Sequence, residues 1–413
     1  MAKSFSQTIG AAGLIAGTCI GAVTVALPVA TASLGFFGCV LLFFASWLLM
    51  AWTGCLVLEV NARLGQHASF VSMAKMTLGP WAAHAALLCY GGLLYALLAA
   101  YMTGGADILI TVAHLDHLRP DVVILLWSLL AVVVISFGVR LVDFCNRLLL
   151  LSLVAAFVWM VFCSATHIHV RRLVDWSGVH WQQGLQASLI IVAAFGYQVV
   201  VPTVRQFCKN NTKIIARAIW LGSFLPFMVY VLWALCVFGT LPMQGPHGLM
   251  ALQALAHPAR WLPLWMADGA ASLYLRWGVE GFIFCAIATS FLGIAMSLYD
   301  FVRDSLARFF VNQQASFTEH AVYVLLTMLP PWLYAHIWPG GFVRALKHAG
   351  VLVVLLNIIL PILMALRVRQ GVLAAPNEVK QPQPYQAPGH MLSLYVALLL
   401  SLLFLGMTIW VSS

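Results

Sequence analysis

Apolar runs close to the ~20 residues needed to cross a hydrocarbon core recur along almost the whole chain, and they leave a water-soluble fold no surface to present. The runs cover residues 9–32, 36–60, 84–113, 121–138, 145–166, 184–201, 217–239, 275–299, 320–336, 343–366 and 391–411, which predicts eleven spans. Peptide groups left unpaired in lipid cost several kcal/mol each, so a span is either a helix or a strand of a closed barrel. No run alternates at the ~10-residue length of a barrel strand, and an all-α integral membrane protein is expected. Composition agrees: 8% of the 413 residues are charged, against roughly 25% in a soluble domain. The first run is long enough to span and is followed by many like it, so it reads as a first helix and not as a removable signal.

The net charge of +9 is scattered over short loops and forms no basic stripe with interleaved aromatics, which argues against nucleic acid as a partner. It reads instead as topology. With the amino terminus inside, seven of the 21 basic residues (Arg119, Arg171, Arg172, Arg260, Arg276, Arg344 and Lys347) face outward and fourteen inward. The positive-inside rule then places the amino terminus in the cytoplasm and the carboxyl terminus outside. Eight of nine cysteines lie in apolar runs and read as small buried hydrophobes. His167 and His169 form an H-x-H pair with no third ligand at useful spacing, so no metal or other cofactor is expected there. The stretch 368–390, with Pro376, Pro382, Pro384 and Pro388, reads as an extended linker.

Two of the runs contain breaks. The first carries Ala16-Gly17-Thr18-Cys19-Ile20-Gly21-Ala22-Val23 with Pro28 beyond it, and the sixth carries Phe195-Gly196-Tyr197-Gln198 with Pro202 beyond. Glycine is costly inside a helix, and small residues also serve close helix packing, so neither segment alone decides the matter. Two interrupted helices five apart do more. In a five-plus-five inverted repeat the first and sixth helices are equivalent, and paired breaks mark a shared site at mid-membrane. The expected organisation is a first repeat over 1–166, a second over 184–366 and an added helix at 391–411 within a single transmembrane domain.

The segment Ala16–Ala22 with Pro28 resembles the first-helix signature of the bacterial hydroxy- and aromatic-amino-acid permeases. Further segments look closest to the tyrosine-specific branch: Ala99–Gly104, Leu141–Arg147, Ala288–Gly293 and Pro339–Phe342, in the same order over nearly the whole chain. The resemblance implies a leucine-transporter-like fold, alternating access, and uptake of tyrosine or its relatives across the bacterial inner membrane on a cation gradient. Val23, Gln198 and Val199 depart from the pattern, and Leu153 stands where proton-coupled relatives carry a lysine.

The breaks suggest roles for individual residues. Backbone N–H groups of Ile20, Gly21 and Ala22, beside Thr18 and Cys19, are expected to hold a carboxylate at a helix N-terminus. Carbonyls near Cys19 and Phe195, the latter beside Gly196, would meet the amino group. Tyr95, Tyr101, Phe195, Tyr197 and Phe291 are the candidate walls for an aromatic side chain, since ring contacts add about 0.5–1.5 kcal/mol beyond area burial. Gln198 or Thr103 is the candidate partner for a phenolic hydroxyl. Ala286, Thr289 and Ser290 share one helical face. In the resembling fold that face meets Ala16 and Cys19 to hold a sodium ion. Asp107 and Glu280 are the candidate proton carriers, because charge within a span is expensive. The coupling cation stays open between H+ and Na+. Another neutral amino acid is the alternative cargo. A channel would need rings of charge or a carbonyl filter, and an enzyme would need clustered acids or a nucleophile with its base; the sequence has neither pattern.

Overall fold

A helix satisfies its own peptide groups, and helices are what these apolar runs form. The structure, a computed structural model, describes residues 2–64, 68–177, 179–306, 317–338, 340–371 and 385–412, and no strand occurs among them. The helices are α1 (Ala2–Cys19), α2 (Ala22–Ala30), α3 (Gly35–Arg63), α4 (Phe70–Leu78), α5 (Pro80–Val112), α6 (Pro120–Ser136), α7 (Val139–Ala165), α8 (Val170–Leu173) and α9 (Trp181–Ala194). They continue with α10 (Val201–Phe207), α11 (Thr212–Thr240), α12 (Leu249–Ala254), α13 (Pro258–Ala270), α14 (Leu273–Leu306), α15 (Phe317–Ile337), α16 (Phe342–Val353), α17 (Leu360–Arg369) and α18 (Met391–Ser412).

Among the described residues eight helical segments are long and apolar enough to span, and α1 with α2 makes a ninth if that bent pair counts as one. Two of the eleven expected runs fall outside this count. One is α6, an apolar helix of 17 residues; the other is α15, interrupted in composition by Pro330 and Pro331. The linker expected at 368–390 lies largely outside the described residues.

Small residues let the helices approach closely, as expected where lipid supplies no hydrophobic drive between them. A side chain at Gly222 of α11 would stand 2.7 Å from the Ala12 carbonyl of α1. One at Gly350 of α16 would stand 2.3 Å from the Leu189 carbonyl of α9. Burial ranks the spans. Segments 187–207 and 342–369 are 72% buried inside the protein, whereas α7 and α18 reach only 17% and lie at the periphery. The interrupted sixth run is therefore central.

Polar contacts gather at two ends. At one, the buried Glu59 of α3 accepts from Arg369 Nε (2.9 Å) and Nη2 (2.6 Å) and from the Ala387 N–H (2.9 Å). Arg205 there donates to the Asn61 carbonyl and to its Oδ1, and Trp52 Nε1 donates to the Pro388 carbonyl at 2.8 Å. At the other end Arg172 donates to the Thr240 carbonyl, His180 N–H to Ser33 (2.8 Å) and Gln253 Nε2 to Ala30 (2.9 Å).

Removing one partner of a buried ion pair strands the other charge, at a cost of about 3–5 kcal/mol, whereas an apolar pair of similar volume is often neutral. Glu59→Leu should therefore lower the melting temperature in detergent sharply, and Glu59→Leu combined with Arg369→Met should recover most of the loss. Equal melting of single and double variants would show that the pair does not hold this end.

Candidate functional site

Helix α1 stops at Cys19 because the backbone turns at Ile20 and becomes extended at Gly21 (φ −167°, ψ −157°), so α2 starts afresh at a 60° angle. The sixth run breaks at 195–197 and resumes through a short 3-10 turn, Gln198–Val200, into α10. Each break frees peptide groups in the interior, and each freed group needs a partner.

One side chain serves both. The Tyr230 hydroxyl of α11 lies 2.7 Å from the Cys19 carbonyl and 2.8 Å from the Ala194 carbonyl, so it ties the two breaks together. A phenol has one proton, and at any instant it can donate fully to one of the two oxygens. Phe195 packs edge-on against the Tyr230 ring at 5.0 Å, Phe43 does so at 6.2 Å, and Tyr101 lies within electrostatic range of the hydroxyl.

The amide groups expected to hold a carboxylate have partners within the protein. Ile20 N–H donates to the Ala16 carbonyl (3.0 Å), Gly21 N–H to Thr24 Oγ1 (3.3 Å) and Ala22 N–H to Ser290 Oγ (2.9 Å). The last bond brings α2 and α14 together at Ser290, with Gly21 so close that a Cβ there would lie 2.3 Å from the hydroxyl oxygen. Thr289 Oγ1 bonds back to the Ala286 carbonyl at 3.2 Å, and Thr18, on an exposed face of α1, bonds back to Ile15 at 2.7 Å.

Several sequence-chosen residues stand elsewhere. Tyr197 donates to the Met50 carbonyl of α3 (3.1 Å), and a side chain at Gly54 would lie 2.5 Å from its hydroxyl. Gln198 donates to Met50 O (3.1 Å) and Thr53 Oγ1 (3.0 Å) and accepts from the Tyr197 N–H (3.0 Å). These two side chains fasten the sixth-helix break to α3. Thr103 is bonded back to Ala99 and Ala100. Phe291 stacks on Trp127 of α6 at 5.3 Å, and Tyr95 donates to the Leu326 carbonyl of α15 at 2.9 Å. Leu153 of α7 is buried.

Both acidic candidates are paired near the end that carries α13. Glu280 accepts from Arg276 Nε at 2.7 Å. Asp107 accepts from His257 Nδ1 at 2.8 Å, where His257 caps α13; Arg260 lies nearby and pairs with Asp116. The hydrogen bond to Asp107 lifts the His257 imidazole above its ordinary 6.5, while burial and Arg260 oppose it.

Sequence reasoning missed two residues. Tyr230 sits in an apolar helix with no local signal. Asn357 lies in a π-helical turn, Val354–Ile359, between α16 and α17, where it stands against the sixth-helix break: a Cβ at Gly196 would be 3.3 Å from its Nδ2. A lone amide in an otherwise apolar run was the available clue. Beyond the breaks a cavity of about 460 Å³ opens between α2, α9, α12 and α16, lined by Val29, Ala187, Ile190, Gln253, Val343 and Lys347. A second cavity, of about 630 Å³, lies between α5 and α14 at the opposite end.

The sequence profile of the tryptophan/tyrosine permease family matches residues 4–407. The chain is 27% identical over 413 residues to tyrosine-specific transport system 2 of Haemophilus influenzae, covering 97% of this chain and 95% of the relative. It is 29% identical over 403 residues to tyrosine-specific transport system 1 of the same organism (96% and 95%). To a tryptophan-specific transport protein of Pseudomonas aeruginosa it is 28% identical over 364 residues (86% and 85%).

Two outcomes follow from this geometry. Gly21→Ala should displace α14 from the first-helix break and abolish ligand binding with the protein still in the membrane. Adding Ser290→Ala removes the clashing oxygen but leaves the Ala22 N–H unpaired, so it should restore part of the lost thermal stability; if the double variant melts like the single one, the contact is not limiting. For the Asp107–His257 pair, a raised folded pKa means stability that is complete below 6.5 and lost as pH rises through the raised value. Melting followed across that window should show the loss in the wild type and a flatter profile in Asp107→Asn.

Proposed function

The chain belongs to the tryptophan/tyrosine permease family, and from that premise we propose that it imports an aromatic amino acid, tyrosine foremost, by symport with a cation. The observation that carries this reading is the facing pair of breaks joined through Tyr230. An amino acid brings a carboxylate and an ammonium to one place, and the breaks offer both N–H donors and carbonyl acceptors within a few ångströms.

A carboxylate would take over Ala22 N–H from Ser290, whose hydroxyl can turn and donate to it, since a hydroxyl both gives and accepts. An ammonium would take whichever of the Cys19 and Ala194 carbonyls the Tyr230 proton leaves free. The ring would lie against Phe195, Tyr101 and Tyr230, a cluster that favours aromatic cargo through ring contacts. Transfer without a continuous pore is supported by the two cavities at opposite ends with the breaks between them.

The same reading takes the fold to be eleven spans in a leucine-transporter-like five-plus-five repeat with one added helix. It counts α6 and α15 as the fourth and ninth spans. The end contacts support the alternation, since residues 30–33, 111–116, 169–172, 180 and 239–260 share one end while 59–64, 205, 369 and 387–388 share the other. The amino terminus is assigned to the cytoplasm by positive charge.

The coupling cation is a proton or a sodium ion. In this reading the α14 face at Ala286, Thr289 and Ser290 would meet Ala16 and Cys19 and offer hard oxygen ligands, and Leu153 supplies no ammonium to replace a sodium ion. Asp107 with His257, and Glu280 with Arg276, offer titratable groups.

Reconstituted into liposomes, the protein should accumulate labelled tyrosine above equilibrium when a sodium gradient at fixed pH, or a proton gradient without sodium, is imposed. The gradient that drives uptake identifies the cation. Equilibration without accumulation under either gradient would rule out symport, and no uptake of any aromatic amino acid would remove the substrate assignment.

A further inference from the structure

The Asn357 side chain is 1% exposed, and its Oδ1 is buried with no hydrogen-bond partner. It belongs to the π-helical turn 354–359, where the regular helical bonding of the span is already given up, and its amide stands against Gly196 in the break between α9 and α10. Two costs therefore fall on one residue. π-Turns occur mostly at functional positions, and a buried acceptor without a donor is a feature that requires an explanation.

Position narrows what the donor can be. Val343 and Lys347, which line the 460 Å³ cavity beside α2 and α9, lie on the same span as Asn357. Between them and Asn357, Gly350 packs so tightly on Leu189 that a Cβ would stand 2.3 Å from its carbonyl. Asn357 thus lies beyond this tight α9–α16 contact, about 15 Å deeper than Lys347 at 1.5 Å per residue, at the level of the sixth-helix break. The nearby rings of Phe195, Tyr230, Phe43 and Tyr101 carry two hydroxyls, and that of Tyr230 is already engaged by two carbonyls.

We propose that Asn357 is the specificity-determining residue for cargo side chains that carry a hydrogen-bond donor, its amide oxygen accepting from the phenol O–H of tyrosine or the indole N–H of tryptophan. This rests on the aromatic-amino-acid reading and deepens it. Phenylalanine presents the same ring without a donor and leaves the acceptor unpaired, which weakens it by about tenfold to a hundredfold. The carboxylate and ammonium contacts at the two breaks are common to all three ligands and do not discriminate among them.

The test is competition against bound labelled tyrosine on the full chain in lipid nanodiscs. The competitors are tryptophan, phenylalanine, O-methyltyrosine and 1-methyltryptophan, the last two being aromatic ligands with the donor blocked. In the wild type, tryptophan should compete at least about tenfold better than phenylalanine and than either methylated ligand. In Asn357→Leu, tyrosine and tryptophan should fall to the level of phenylalanine, while phenylalanine itself changes by less than about threefold. A wild type that binds phenylalanine as tightly as tyrosine overturns the proposal, as does an Asn357→Leu variant that weakens every ligand by one common factor. If that variant does not fold, the wild-type ligand series decides alone. Failure of all aromatic amino acids to bind would overturn the substrate reading and this proposal with it, whereas aromatic binding blind to the donor overturns only this one.

Discussion

Every peptide group placed in a low-dielectric slab must find a partner, and this protein is organised around the two places where the helix no longer provides one. At Ile20–Gly21 and at Phe195–Tyr197 the ladder stops, and side chains, some from distant parts of the chain, take up freed groups. Tyr230 reaches both, Ser290 reaches Ala22, Gln198 reaches back to the Tyr197 N–H, and Asn357 stands against Gly196. An orphaned buried N–H or C=O costs on the order of a few kcal/mol, so the hydrogen bonds of Tyr230, Ser290 and Gln198 are conditions for the breaks to exist. The same dependence makes the site exchangeable, since groups held by hydroxyls and amides can pass to a ligand with matching donors and acceptors.

Around that centre the remaining contacts divide into fixed and releasable ones. Tyr197 and Gln198 anchor the sixth-helix break to Met50 and Thr53 of α3, all buried and mutually satisfied. Glu59 and Arg369 close one end with a buried ion pair that also grips the backbone at Ala387 and Gly389. The opposite end is held differently. His257 and Asp107 join an interspan helix to α5 through a bond whose strength follows the imidazole's proton, and Gln253 reaches Ala30 with a single neutral bond. The end beside the 460 Å³ cavity thus carries a titratable contact, and the far end a buried ion pair.

The placement of aromatic residues shows why their number says little about a binding site. Phe291 and Trp127 stack together, Tyr95 caps a carbonyl of α15, and Trp47 packs among Trp220, Phe224 and Phe227. Each ring buries area against a neighbouring helix. Those that gather at the breaks, Phe195, Tyr230, Phe43 and Tyr101, come from three helices and the sixth-helix break itself, and nothing in their local sequence separates them from the rest.

The sequence by itself determined that the chain is helical and spans a membrane, because residue hydrophobicity and run length are local quantities and the lipid allows one backbone solution. It also located both breaks, since Gly21 and Gly196 interrupt apolar helices at cost and such a signal needs no tertiary partner. The shared face of Ala286, Thr289 and Ser290 was legible from spacing, but that Ser290 accepts from the Ala22 N–H was not. What only the tertiary structure decided is which side chains answer the breaks. Tyr230 and Asn357 gain their meaning from groups more than thirty and more than a hundred residues away, whereas Gln198, Tyr197 and Thr103, attractive by sequence proximity, are held by α3 or by their own helix. A hydrogen bond is fixed by direction over about 3 Å, and a helix periodicity gives the face of a residue but not the neighbour it will meet.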